Sequence, residues 1–168
     1  DTTKDVLLFY YKKFGFFPYK QISILPGNSF TKGGYADNNL IVLHETINSF
    51  KSQEESEKYL RWYLANYIGA QYFGYYLGES GEFPGWITSG ATLYLSSVHF
   101  KEKNITNEIY NGFINQYLNA AKANFNTLVL QPVDELKQTN FDWENIIEKG
   151  KSADIFKMLE YVVGRKTL

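Results

Sequence analysis

Residues 57–100 read EKYLRWYLANYIGAQYFGYYLGESGEFPGWITSGATLYLSSVHF. Leu60, Leu64, Ile68, Tyr72 and Tyr75 recur at helical spacing, which predicts one helix running to about Leu77 and stopped by Gly78. Its start is marked by Ser52-Gln53-Glu54-Glu55, a capping box in which the serine caps and the glutamate reaches back. After Trp62 apolar residues occur on nearly every side, so this helix is expected at the centre of a core. Gly69 and Gly74 leave room for close neighbours. Gly78–Gly85, with Glu79 and Glu82, reads as a loop, and Trp86–Phe100 as a second core helix.

Outward from this pair, composition sets bounds. The chain has 168 residues and a net charge of -1 with both signs interspersed, so no basic stripe offers a nucleic-acid surface. The absence of cysteine excludes disulfides and thiol chemistry. No apolar run approaches the roughly 20 residues of a membrane-spanning helix. Tyrosine (14) and phenylalanine (13) are abundant enough to build an aromatic core and still leave rings for a peptide or sugar groove. One domain over residues 1–168 is expected, cut from a longer protein whose other domains are partners. The compartment is not read from the residues; an extracytoplasmic or membrane-tethered parent is the working expectation.

Towards the N-terminus, Thr3 is the expected cap of a helix over Lys4–Phe14 with Val6, Leu7, Tyr10 and Phe14 on one face, and Gly15 ends it. Ile22–Leu25 reads as a short strand closed by Pro26-Gly27. A Gly33-Gly34-Tyr35-Ala36-Asp37-Asn38-Asn39 run reads as a turn before a strand that begins at Leu40-Ile41. His44-Glu45-Thr46-Ile47-Asn48 has the form of a metal motif only if helical, and it comes directly after a strand. Towards the C-terminus, Lys101–Thr106 is a charged linker containing the sequon-like Asn104-Ile105-Thr106. Asn107–Asn124 reads as a helix with Ile109, Phe113, Tyr117 and Ala121 in phase. Val133–Leu136 and Trp143–Ile147 read as short helical turns, and Ser152–Val163 as the last helix.

Two segments, Ala65-Asn66-Tyr67-Ile68-Gly69-Ala70-Gln71-Tyr72-Phe73-Gly74 and Trp86-Ile87-Thr88-Ser89-Gly90-Ala91-Thr92-Leu93-Tyr94, resemble the zinc-helix pair of the aminopeptidase N-like gluzincin metallopeptidases. That family reads roughly A-H-E-x-x-H-Q-W-F-G and W-L-N-E-G-F-A-E-Y. Phe14-Gly15-Phe16-Phe17-Pro18-Tyr19 is similar to its F-G-x-Y-P-Y turn. Gly33–Leu40 is similar to its G-A-M-E-N loop, and Lys151–Leu159 to its K-G-A-x-V-L-x-M-L helix. The resemblance implies an α+β, mostly α, thermolysin-like fold, with a small mixed sheet on the N-terminal side and a helical bundle after it.

On this frame the chemistry is gone. The zinc histidines fall on Asn66 and Ala70, the general base on Tyr67 and the glutamate ligand, eighteen residues beyond Ala70, on Ser89. The glutamate that grips a substrate amine falls on Ala36, and the oxyanion tyrosine on Lys149. Catalytic zinc needs about three nitrogen or oxygen ligands and an open position for water. A carboxamide, a methyl and a hydroxyl do not supply them, so no zinc or other cofactor is expected. Tyr67 cannot act as a base near neutral pH, its ordinary pKa being about 10. The expected function is a non-catalytic, peptidase-like module that binds a peptide or protein partner, with Tyr67, Tyr72, Trp86 and Tyr94 lining a cleft beside Ala36, Asn66 and Ser89. The alternative is a metallopeptidase with a relocated metal on His44, Glu45, His99, Glu79 or Glu82. A third reading is a purely structural domain whose own aromatic side chains fill the cleft.

Overall fold

A computed structural model describes residues 2–27, 34–44, 52–78, 85–130 and 142–164. The chain falls into two compact units, Asp1–Gly78 and Glu79–Leu168. The described residues are mostly helical, with one small mixed sheet in the first unit. The strand expected near Ile22–Leu25, the one beginning at Leu40 and the long helices are present. Residues 45–48, the loop carrying Glu79 and Glu82, and the turn at 133–136 lie outside the described residues.

The first unit opens with α1 (Thr2–Phe14), so Thr3 sits inside the helix and does not cap it. Val6, Phe9 and Tyr10 form its buried face. Gly15, with φ +77°, ends it by donating its N–H to the Tyr11 carbonyl at 2.8 Å, a left-handed stop that costs glycine nothing. Strands β1 (Ser23–Gly27), β2 (Gly34–Asp37) and β3 (Leu40–His44) form a sheet in the order β1-β3-β2. β1 runs parallel to β3, whereas β2 and β3 form an antiparallel hairpin.

Two expectations are corrected by the sheet. The turn-like run from Gly34 is itself a strand, because Asn38-Asn39 make the turn, Asn39 with φ 49°. β1 also continues through Pro26. The Ser23 N–H bonds the Asn39 carbonyl at 2.8 Å, so Ser23, Leu25 and Gly27 face β3 and Pro26 faces the outer edge. A proline there removes no ladder hydrogen bond, and it blunts the edge against further strands.

Helix α2 (Gln53–Ala70) is capped by Ser52, whose side chain accepts from the Glu55 N–H at 3.1 Å. It runs on without a break into a wider turn at Gln71–Tyr76, where the Leu77 N–H reaches back five residues to the Tyr72 carbonyl at 3.0 Å. Such π-helical turns accommodate one extra residue and rotate the helix face beyond them. α2 packs on α1 through a hydrogen bond from the Tyr10 hydroxyl to the Ala65 carbonyl (2.7 Å) and an Arg61–Asp5 ion pair, with Glu57 3.5 Å from the same guanidinium. It buries Arg61, Leu64, Ala65, Ile68 and Gly69 along one face, rather than being enclosed all round.

In the second unit, α3 (Trp86–Glu102) is the helix enclosed on nearly every side, from Gly90 to Phe100. Its composition permits this. The hydroxyls of Thr92, Ser96 and Ser97 donate to the carbonyls of Ser89, Leu93 and Tyr94, so burial strands none of those three groups. α4 (Glu108–Lys122) is capped by Asn107, whose side chain accepts from the Tyr110 N–H at 3.0 Å. Its inner stripe is Tyr110, Phe113, Ile114, Tyr117 and Ala120; the expected Ile109 and Ala121 are half-buried at its margins.

A second π-helical segment, Glu144–Lys151, leads straight into α5 (Ser152–Val163). It packs Trp143, Ile146 and Ile147 against Ala120 and Phe125. α3 and α5 touch where Gly90 faces Ser152: a Cβ built on Gly90 would lie 2.6 Å from the Ser152 Cβ.

Candidate functional site

The helix that carries the expected metal positions does hold the neighbouring motif segments in place. Gln71 is fully buried and works at both ends of its amide. Its Oε1 accepts from the Asn39 N–H at 2.9 Å, and its Nε2 donates to the Asp37 carbonyl at 3.0 Å. The β2–β3 turn is thereby fixed to the end of α2. The Tyr75 hydroxyl donates to the Ala36 carbonyl, and the Tyr72 hydroxyl to the Phe16 carbonyl at 2.7 Å. Within the first unit, then, three residues of one helical segment secure both the Phe14–Tyr19 turn and the Ala36 strand.

Gln71→Leu is expected to cost about 2 kcal/mol, since it leaves the Asn39 N–H and the Asp37 carbonyl without their partner. Amide exchange read by NMR should accelerate first at Asn39.

The expected site residues have ordinary local occupations. Asn66 donates its side-chain amide to the Trp62 carbonyl at 2.8 Å, one turn back on its own helix. Tyr67 is half-buried and stacks on Tyr63, with ring centroids 5.9 Å apart. Burial, with the Tyr63 phenol adding to it, pushes the Tyr67 pKa well above its ordinary value, so the group at the base position stays a neutral phenol. Ala70 is the last residue of α2 before the π-helical turn.

In the second unit the Ser89 hydroxyl donates to the Glu148 carboxylate, and the Ser89 N–H bonds the Gly85 carbonyl at 2.8 Å. Lys149 stands at the oxyanion-tyrosine position of the resemblance and is not left to solvent alone. It lies within the π-helical segment, 2.6 Å from Glu144 Oε1 and 3.1 Å from Asn145 Oδ1, with its ammonium 5.7 Å from the Phe113 ring centre. Those contacts occupy the charge locally.

The aromatic residues expected to line a cleft divide differently. Tyr72 is 3% exposed and belongs to the core. Its ring stands 4.8–5.7 Å from those of Tyr10, Phe14, Phe16 and Phe17, the nearest being Phe14 at 4.8 Å. Sequence reasoning missed this because a helical tyrosine before Phe-Gly reads equally as a lining or a core residue. The signal was available in the three aromatic residues around Gly15, which need a partner of that size. Trp86 and Tyr94 both pack on Phe156, each with centroids 6.2 Å from it. Trp86 is half-buried, whereas Tyr94 is buried and also borders a groove of about 550 Å³ shared with Ser97, Lys101, Asn107, Lys157 and Glu160.

These donors do not fit zinc. A carboxamide at Asn66 and a neutral hydroxyl at Ser89 are weak oxygen ligands for this metal, and the methyl of Ala70 is none. Among the described residues no group of three or more His, Asp or Glu side chains is placed to hold a metal ion. His44 ends β3 in the first unit and His99 is fully buried in α3 of the second. Glu45, Glu79 and Glu82 lie outside the described residues. No described helix is long and apolar enough to cross a membrane. No family model matches the chain, and comparison with curated proteins returns no relative.

Proposed function

We propose that the chain is a non-catalytic, peptidase-like module of thermolysin-like architecture, which acts by binding a peptide or protein partner and not by hydrolysis. The observation that carries this reading is the anchoring of Ala36, Asp37, Asn39 and Phe16 by Gln71, Tyr72 and Tyr75. Segments that resemble three separate motifs of one family are thus held together inside the first unit. Gly90 against Ser152 does the same for two further motif segments in the second. The side chains at the chemical positions, meanwhile, serve local packing and hydrogen bonding.

Hydrolysis by a zinc site needs a metal-bound water whose pKa is brought down to about 7 and a base to take its proton. A neutral phenol at position 67 and a carboxamide at position 66 offer neither. An extracytoplasmic or membrane-tethered parent protein is compatible with such a module, whose neighbours would then include other domains of that parent.

The test combines metal content and activity. Protein purified without added metal should contain less than about 0.1 zinc per chain by mass spectrometry, and should release no aminoacyl nitroanilide product after zinc is supplied. One zinc per chain together with hydrolysis would overturn this reading in favour of the alternative, a metallopeptidase with a relocated metal.

A further inference from the structure

We propose that a groove between α1 and the segment entering β1 is a docking site for an acidic, apolar peptide segment of a partner protein. The groove measures about 500 Å³, and Leu7, Leu8, Tyr11, Phe17 and Ile22 supply its apolar walls. Leu8 is 44% exposed and Tyr11 53%, although α1 already fills the core with Val6, Phe9 and Tyr10 on its other face. A concave apolar surface that the fold does not consume marks a contact site.

Charge decides the occupant. Lys4 and Lys20 line the groove, no acidic residue among the described ones does, and exposed Lys12 extends the positive edge along α1. Asp5, the acidic residue of α1, is committed to Arg61. A second copy would bring its own lysines against these two in a two-fold contact, which repels. A flat bilayer does not enter a recess. Carboxylates flanking apolar side chains satisfy both features, the apolar chains filling the walls and the carboxylates meeting the ammonium groups. Because Pro26 blunts the outer edge of β1, the partner is held mainly by its side chains and adds little to the sheet. None of Asn66, Tyr67, Ala70 or Ser89 lines the groove, so this site stands whether or not the metal reading does.

The probe is a short fluorescein-labelled peptide of alternating leucine and glutamate, read by anisotropy against the whole chain. Binding with Kd of about 10 µM is expected, at least about tenfold tighter than for the same peptide with lysine in place of glutamate. K4E/K20E should reverse that preference, and Leu8→Ser with Tyr11→Ser should weaken binding about tenfold. These four positions are on the surface, and a circular-dichroism melt verifies that each variant is folded. The proposal is overturned by equal binding of both peptides, by no binding of the acidic peptide at about 1 mM, or by an unchanged preference in K4E/K20E. It is equally overturned if Leu8 and Tyr11 govern self-association in the ultracentrifuge, or binding to phosphatidylglycerol vesicles, in place of peptide binding.

Discussion

Tyr72→Ala is expected to destabilise the first unit by about 4 kcal/mol, the usual cost of deleting a buried aromatic ring. The side chain is almost wholly enclosed, its ring touches those of Tyr10, Phe14, Phe16 and Phe17, and its hydroxyl holds the Phe16 carbonyl. Removing it opens a cavity under the Phe14–Tyr19 turn and frees an acceptor at the same time. Tyr72→Phe separates the two contributions and should cost only about 1 kcal/mol. Hydrogen exchange in the first unit checks both variants. A cleft-lining tyrosine would behave otherwise: its truncation would leave exchange nearly unchanged and weaken only ligand binding.

Gly90→Ala should lower the stability of the second unit by about 3 kcal/mol, the upper range for overpacking a filled contact. The added Cβ would stand 2.6 Å from the Ser152 Cβ and 2.9 Å from the Ser152 carbonyl carbon. Backbone atoms cannot swing aside as a long side chain can, so α5 must shift away from α3. Gly112→Ala is the matched control. It lies within α4 with no neighbouring atom within 4 Å of an added Cβ, and should raise stability by about 1 kcal/mol through helix propensity alone. Urea unfolding of the two variants should therefore move in opposite directions.

Local signals in the chain were legible where one residue decides. Ser52 before Glu55 placed the start of α2, Gly15 placed the end of α1, and the bounds of α3 fall within two residues of the expected ones. What failed depended on partners distant in sequence. Gly34–Asp37 is a strand because β3 lies beside it, and its own residues resemble a turn. Pro26 remains in β1 because of the direction it faces, which single-strand reasoning does not supply.

The π-helical segments at 71–76 and 144–151 were invisible to a 3.6-residue period, since each carries an extra residue and rotates the helix beyond it. Of the candidate site, the residue identities at 36, 66, 67, 70, 89 and 149 were legible. Their local partners Trp62, Tyr63, Glu148 and Glu144 were not.

Zinc affinity, measured by competition with a chromophoric chelator, tests most directly the proposal that Asn66 and Ala70 stand where a metal-binding pair has been lost. The unaltered chain is expected to leave the chelator loaded with zinc. Asn66→His with Ala70→His supplies an i, i+4 pair on one face of α2 and should tighten zinc binding about a hundredfold over the unaltered chain. Affinity left unchanged by the two histidines would contradict the account.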